Sequence, residues 1–166
     1  MVPASDIERR VVEILDGLGQ PYELFACDPA LADTAAFCEA YGFSPADSAN
    51  TIVALGKSDP PVHVACVVLA TTRLDVNGTV RRRLGVRKAS FAPADDTAAA
   101  TGMQIGGVTP FALPPAMPVW IDGRVAQRER IVLGGGSRSI KVICPPTTLL
   151  ALASAELVDD LALDPT

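Results

Sequence analysis

Ile131-Val-Leu133 and Ile140-Lys-Val-Ile-Cys144 flank the turn Gly134-Gly-Gly-Ser-Arg-Ser139. Two runs of β-favouring residues joined by so short a glycine-rich turn predict a local antiparallel pair. Upstream, residues 51–55 and 62–71 form a second such pair around Gly56 to Pro61. Between and around these pairs the pattern turns helical. Ser5 and Glu8 are spaced as a capping box, and Ile7, Val11, Ile14, Leu15 and Leu18 share one face before Gly19. Asp33 or Thr34 can start a helix through Tyr41, stopped at Gly42, and Asn77 can cap one carrying Val80 and Leu84. Residues 93–101 read as a short helix with an early proline and first-turn acids, ended by Gly102. Residues 22–27 read as a strand, and residues 119–122 as another running into an Asp122-Gly123 turn. Pro145 and Pro146 stop the last strand before a helix from Thr147 or Thr148 through Ala153. Local strand pairs interspersed with short helices predict an α+β (mixed α/β) fold, a largely antiparallel mixed sheet flanked by helices rather than a doubly wound parallel one.

No repeat, linker or low-complexity tract divides the chain, so residues 1–166 are read as one domain, long enough to bury a substantial core. Aromatic residues make up only 5% of the chain and charged residues 20%, so aliphatic and alanine side chains supply most of the packing. The formal charge is −5, which argues against a broad basic surface laid along nucleic acid. A domain gripping only the end of such a polymer needs few phosphate contacts and is less constrained. The longest apolar runs, such as residues 62–70, are strand-sized, and the N-terminus has neither a basic start nor a signal-length apolar run. The expectation is a cytoplasmic protein that neither enters membranes nor binds DNA.

Residue chemistry removes several enzyme classes. His63 is the only histidine and lies in an apolar strand, so a serine or cysteine triad would have a single unpromising base. Cys27, Cys38, Cys66 and Cys144 are widely spaced, with no CxxC pair, and read as buried reduced thiols rather than metal ligands. No P-loop or dinucleotide fingerprint is present, and no metal or cofactor is expected. The most distinctive segment is Gly106-Gly107-Val108-Thr109-Pro110-Phe111. Paired glycines let backbone approach a ligand closely, and the proline stiffens the loop. Such a loop can aim N–H groups at a developing oxyanion. A tight turn ahead of the next Pro-rich stretch fits the same residues.

Gly106 and Pro110 match the glycine-x-x-x-proline loop of the YbaK-type, prolyl-tRNA synthetase-associated editing domains, and the segment resembles that family. Other stretches resemble it in the same order: Gly42-Phe-Ser-Pro-Ala-Asp47 to Thr51-Ile-Val53, Leu84-Gly-Val86 with residues 89–93, and residues 134–143 followed by Pro145 and Leu149-Leu150. The resemblance spans roughly residues 20–155. It implies a mixed α/β or half-barrel domain whose cleft takes the aminoacylated 3′ end of tRNA, with an aminoacyl-tRNA synthetase as a further partner. It implies hydrolysis of the ester of a mischarged tRNA by water or a group of the substrate, without a histidine base.

By that resemblance Gly106, Gly107, Thr109 and Pro110 form the catalytic loop, and Asn50, Thr51, Gly135, Gly136, Ser137 and Arg138 bind substrate. The glycine triplet could place amides and a cation near phosphate or ribose, or be a plain hairpin turn. Two positions depart from the family's pattern. Relatives usually carry lysine where this chain has Asn50, and glycine is common at Ser139. Asparagine offers a neutral dipole in place of a charge, so Lys57 or Arg138 would have to supply a cation. A relative that binds an aminoacyl or nucleotide-like ligand, or a synthetase, without turning it over is the alternative. The basic run Arg81 to Lys88 can contact tRNA or form a solvated helix face.

Overall fold

Ser5 accepts a hydrogen bond from the Glu8 N–H while the Glu8 carboxylate accepts from the Ser5 N–H, closing the expected capping box at the start of α1 (Asp6–Leu18). This is a computed structural model, and it describes residues 3–165, leaving Met1, Val2 and Thr166 of the predicted domain outside. The helix buries Val11 and Leu15 and ends at Gly19, whose φ is +66°, a left-handed cap that glycine adopts without a Cβ penalty. β1 (Glu23–Ala26) follows, then α2 (Thr34–Tyr41), also closed by a left-handed glycine, Gly42.

β2 (Ala49–Gly56) and β3 (Val62–Leu69) pair antiparallel over their full length, as expected. β4 (Arg73–Leu74) leads into a wide helical turn over Val76–Val80 and then α3 (Arg81–Leu84). Asp75 caps this turn, not Asn77. Its carboxylate accepts from the Gly78 and Thr79 N–H groups and the Thr79 hydroxyl, several bonds that one amide oxygen cannot match, and this holds its pKa down against the effect of burial.

β5 (Ala89–Phe91) pairs with the end of β2, and α4 (Ala94–Thr101) follows Pro93. β6 (Val119–Asp122) ends at the Asp122-Gly123 turn but makes no hairpin there. It lies parallel to β3 on one side and to β9 (Ala155–Val158) on the other. β7 (Ile131–Gly134) and β8 (Ile140–Cys144) form the glycine-turn pair, and β1 adds to the far edge of β8. α5 (Pro146–Leu150) starts before the two threonines. Thr148 is buried and donates its hydroxyl to the Pro21 carbonyl at 2.6 Å. β9 (Ala155–Val158) and β10 (Ala162–Leu163), the latter paired with β4, complete the chain.

The result is a mixed α+β fold with strand order β5-β2-β3-β6-β9 in one sheet and β1-β8-β7 in another. Half of the larger sheet is parallel, which local hairpin signals cannot reveal. Val11, Leu15, Val67, Ile121, Val142 and Leu149 belong to one core, and Val64, Cys66, Val80, Trp120 and Leu161 to a second. A third, aromatic cluster brings Phe25, Phe37, Tyr41 and Phe43 together with centroids 5.0–5.7 Å apart. All four cysteines are buried and unpaired, and burial pushes the Cys66 and Cys144 thiols up to about 12. No described helix is long and apolar enough to cross a membrane.

Candidate active site

A cleft of about 400 Å³ opens beside β2, walled by the start of α2, Ile105, Gly106 and Val108, β7 and Lys141 of β8. It exists because β2 outruns its neighbour. β5 pairs only with Ala54, Leu55 and Gly56, leaving the edge of β2 unpaired beside the cleft. Val53 turns its carbonyl outward to the Ala92 N–H at 2.9 Å, and Lys57 likewise faces Lys88. Strand groups alternate in direction, so the N–H and C=O of Thr51 also point to this open edge. The Thr51 hydroxyl is buried and, among the described residues, has no hydrogen-bond partner. A buried polar atom without a partner is costly, and here it borders a cavity. Asn50 accepts a hydrogen bond from the Thr34 hydroxyl at 2.9 Å through its side-chain oxygen, which leaves its NH₂ group as a donor.

The opposite wall is the turn from Gln104 to Gly107. The Gly107 N–H donates to the Gln104 carbonyl at 2.9 Å, and Gly106 holds φ +89°, the third position of a type II-like turn. The Ile105 carbonyl accepts from Arg138 Nη1 at 2.9 Å. A trans peptide points its N–H opposite its carbonyl, so the Gly106 N–H is directed away from Arg138. Among the described residues it has no acceptor.

The structure thus brings Gly106, Asn50 and Thr51 to one cavity. The other predicted site residues lie behind or beside it. Gly107 packs against the hairpin, where a Cβ would overlap the Ser137 backbone. Thr109 is fully buried, and it and Pro110 anchor the loop rather than line the cleft. A Cβ on Gly135 would meet Ile140, and one on Gly136 would meet Ile7 at 2.9 Å. The Ser137 hydroxyl donates to Glu8 Oε1 at 3.2 Å. These three are directed to the protein interior and α1. Arg138 stands at the rim, donating to Pro29 O at 2.9 Å and paired with Asp33 at 3.2 Å.

Sequence reading missed Lys141. It is 7% exposed, and its Nζ donates to the Ala32 carbonyl at 2.6 Å and the Gly106 carbonyl at 3.2 Å, with the Phe37 ring centroid 5.4 Å away. Burial lowers its pKa below the usual lysine value, Arg138 adds to the effect, and Cys27 and Asp33 oppose it. A charge alone within Ile140-Lys-Val-Ile-Cys144 was the available signal, since neighbouring apolar residues on both strand faces bury it too. Lys57 is exposed and does not line the cleft, nor does the Arg81 to Lys88 run. Within that run Arg83 pairs with Glu156 and lies over Trp120, 5.0 Å from its centroid. His63 is also outside, bonded to Asp96 at 2.9 Å.

The cleft offers N–H, amide, hydroxyl and ammonium donors converging on a small, largely apolar volume. That arrangement suits the recognition of a carbonyl-containing group. Among the described residues no cluster of three or more His, Cys, Asp or Glu side chains could hold a metal.

Residues 28–152 match the family described as aminoacyl-tRNA editing domain. Among solved structures, a hypothetical protein superposes with TM-score 0.83 at 23% identity, covering 93% of this chain and 99% of its own. A candidate trans-editing enzyme for prolyl tRNA synthetase gives TM-score 0.80 at 23% identity, over 94% of this chain and 97% of that one. At such identity the likeness is one of fold.

Proposed function

The chain belongs to the aminoacyl-tRNA editing domain family, and on that premise we propose that it is a trans-acting deacylase, hydrolysing the ester between a wrong amino acid and tRNA. The observation that carries this reading is the meeting of an unpaired Gly106 N–H with the Asn50 and Thr51 polar groups across one cleft. The aminoacyl group enters between them, with its ester carbonyl against the Gly106 loop and its polar atoms along the open edge of β2. Water attacks the carbonyl carbon, the carbonyl oxygen takes up negative charge, and the bond to the ribose oxygen breaks. That oxygen takes a proton and leaves with the tRNA, while the amino acid departs as its carboxylic acid.

The carboxylate at the cleft, Asp33, is largely exposed and held by Arg138, and His63 is elsewhere. The water's proton is therefore handled by the substrate: the terminal ribose hydroxyl accepts it while passing its own proton to the departing ribose oxygen, or a polar misloaded side chain relays it in the same way. In this reading residues 1–166 act as one domain, the protein works in the cytoplasm, and a synthetase supplies the mischarged tRNA. A panel of mischarged tRNAs incubated with the protein tests it. Enzyme-dependent loss of the labelled amino acid from at least one member is expected. Protection of the ester on every member that binds would replace the enzyme by a binder.

A further inference from the structure

The inner end of the cleft carries a charge that the protein itself leaves without a counter-ion. Lys141 sits on β8 between buried Ile140 and Val142, and its ammonium meets two carbonyl oxygens, those of Ala32 and Gly106. Both neighbours are acceptors, which favours the protonated form. Among the described residues no carboxylate lies within ion-pair distance of it. An ammonium has three N–H groups, so one remains. Buried charges are normally paired, because an isolated one is costly. An oxygen bearing negative charge is the complement this corner lacks.

Position narrows which oxygen that is. Arg138 stands at the rim and is already occupied by Asp33 and two backbone carbonyls, whereas Lys141 lies further in, beside buried Phe37. Its Nζ is 3.2 Å from the carbonyl of Gly106, the residue whose N–H is unpaired. Lys141 and Gly106 both line the cleft.

We propose that Lys141 is a catalytic residue, whose remaining N–H binds the ester carbonyl oxygen beside the Gly106 N–H and stabilises the charge that builds there as water attacks. Gly106 then serves twice, its carbonyl positioning the ammonium and its N–H sharing the oxygen. The inference rests on the ester-hydrolase reading.

Two non-hydrolysable adenosine conjugates test it, one a neutral 3′-aminoacyl amide and the other a 3′-aminoalkylphosphonate whose anionic tetrahedral oxygens imitate the attacked ester. Wild type should prefer the phosphonate. Lys141→Met should lose phosphonate affinity by about 10-fold or more while amide affinity changes less than about two-fold, because the ammonium favours the charged state selectively. In deacylation its kcat should fall by about 100-fold, with little change in KM. Lys141→Gln retains a hydrogen-bond donor toward the Ala32 and Gly106 carbonyls without the charge, and must show the same selective loss. It decides the matter if the Met variant does not fold.

A lysine that only ties Ala32 to Gly106 would affect both probes alike or neither, and either result overturns the proposal. So does a wild type without preference for the phosphonate, or full deacylation by a folded Lys141→Met, which would leave the deacylase reading intact. Lys141-dependent phosphonate selectivity without deacylation of any mischarged tRNA would do the reverse, supporting the oxygen-binding lysine and rejecting the substrate.

Discussion

The Gly106-Gly107 pair and the Gly134-Gly135-Gly136 triplet meet back to back, with the Gly136 N–H donating to the Gly107 carbonyl at 2.6 Å. Each is glycine-rich, and each reads from sequence as part of the site, the first as an oxyanion loop and the second as a phosphate or ribose contact or a plain hairpin turn. Their surroundings separate them. A Cβ on Gly107 or Gly134 would collide with backbone of the other segment, and one on Gly135 or Gly136 with the side chains of Ile140 or Ile7. A Cβ on Gly106 would instead reach the end of the Arg138 side chain at the cleft's rim. Glycine thus serves two purposes in these adjoining turns, close packing of chain on chain at Gly107, Gly134, Gly135 and Gly136 and a left-handed bend beside a cavity at Gly106. A glycine cluster is informative about function only once its neighbours are known.

Substitutions can break or sharpen this contrast. The largest effect is expected from Gly107→Ala or Gly134→Ala, where added methyls strike backbone that cannot turn aside. Overpacking of this kind should lower stability by about 3 kcal/mol, read as a shifted denaturant midpoint. A shift below about 1 kcal/mol would show that the two segments can separate cheaply. Gly106→Ala comes next. Its φ of +89° adds a backbone cost of about 1–2 kcal/mol, and the Arg138 side chain can move aside. Deacylation, however, should drop by about 100-fold, since small displacement of an oxyanion donor is enough. Turnover matching wild type would remove the loop from the chemistry.

Ser137→Ala probes the packing side. It deletes one partner of the buried Glu8 carboxylate and the acceptor of the Ser139 N–H, so stability should fall by about 1 kcal/mol with kcat unchanged. A selective loss of kcat would return the hairpin to the site. The smallest change, and the one of opposite sign, is Thr51→Val. Removing a hydroxyl with no partner should leave stability equal or raise it by up to about 1 kcal/mol. The same change should weaken binding of a non-hydrolysable aminoacyl-adenosine about five-fold. Destabilisation without loss of binding would mean that this hydroxyl is satisfied within the protein.

Much of the architecture was legible because its signals are short-range. The Ser5–Glu8 box, the stops at Gly19, Gly42 and Gly102, and the β2–β3 and β7–β8 pairs each depend on residues a few positions apart. The parallel placement of β6 between β3 and β9 was not legible, because no turn joins the partners and the buried runs of β3 and β6 carry no register mark. The site divides the same way. Gly106, Asn50 and Thr51 stood out through a family pattern, and they do share a cleft. Lys141 stood in plain view within an apolar strand and carried no motif.

The physical reason lies in the range of the forces involved. Capping, turn geometry and strand alternation are settled by backbone hydrogen bonds and sterics within one or two turns of chain, so residue order alone specifies them. Whether a polar atom is satisfied depends on groups brought from far along the chain. Lys141 is held by carbonyls 109 and 35 residues away, and the open edge of β2 exists because β5 stops at Phe91. Desolvation gives those encounters their strength. The unpaired hydroxyl of Thr51, the free N–H of Gly106 and the uncompensated ammonium of Lys141 become chemically meaningful together because folding buries the hydroxyl and the ammonium and brings all three residues to one cavity.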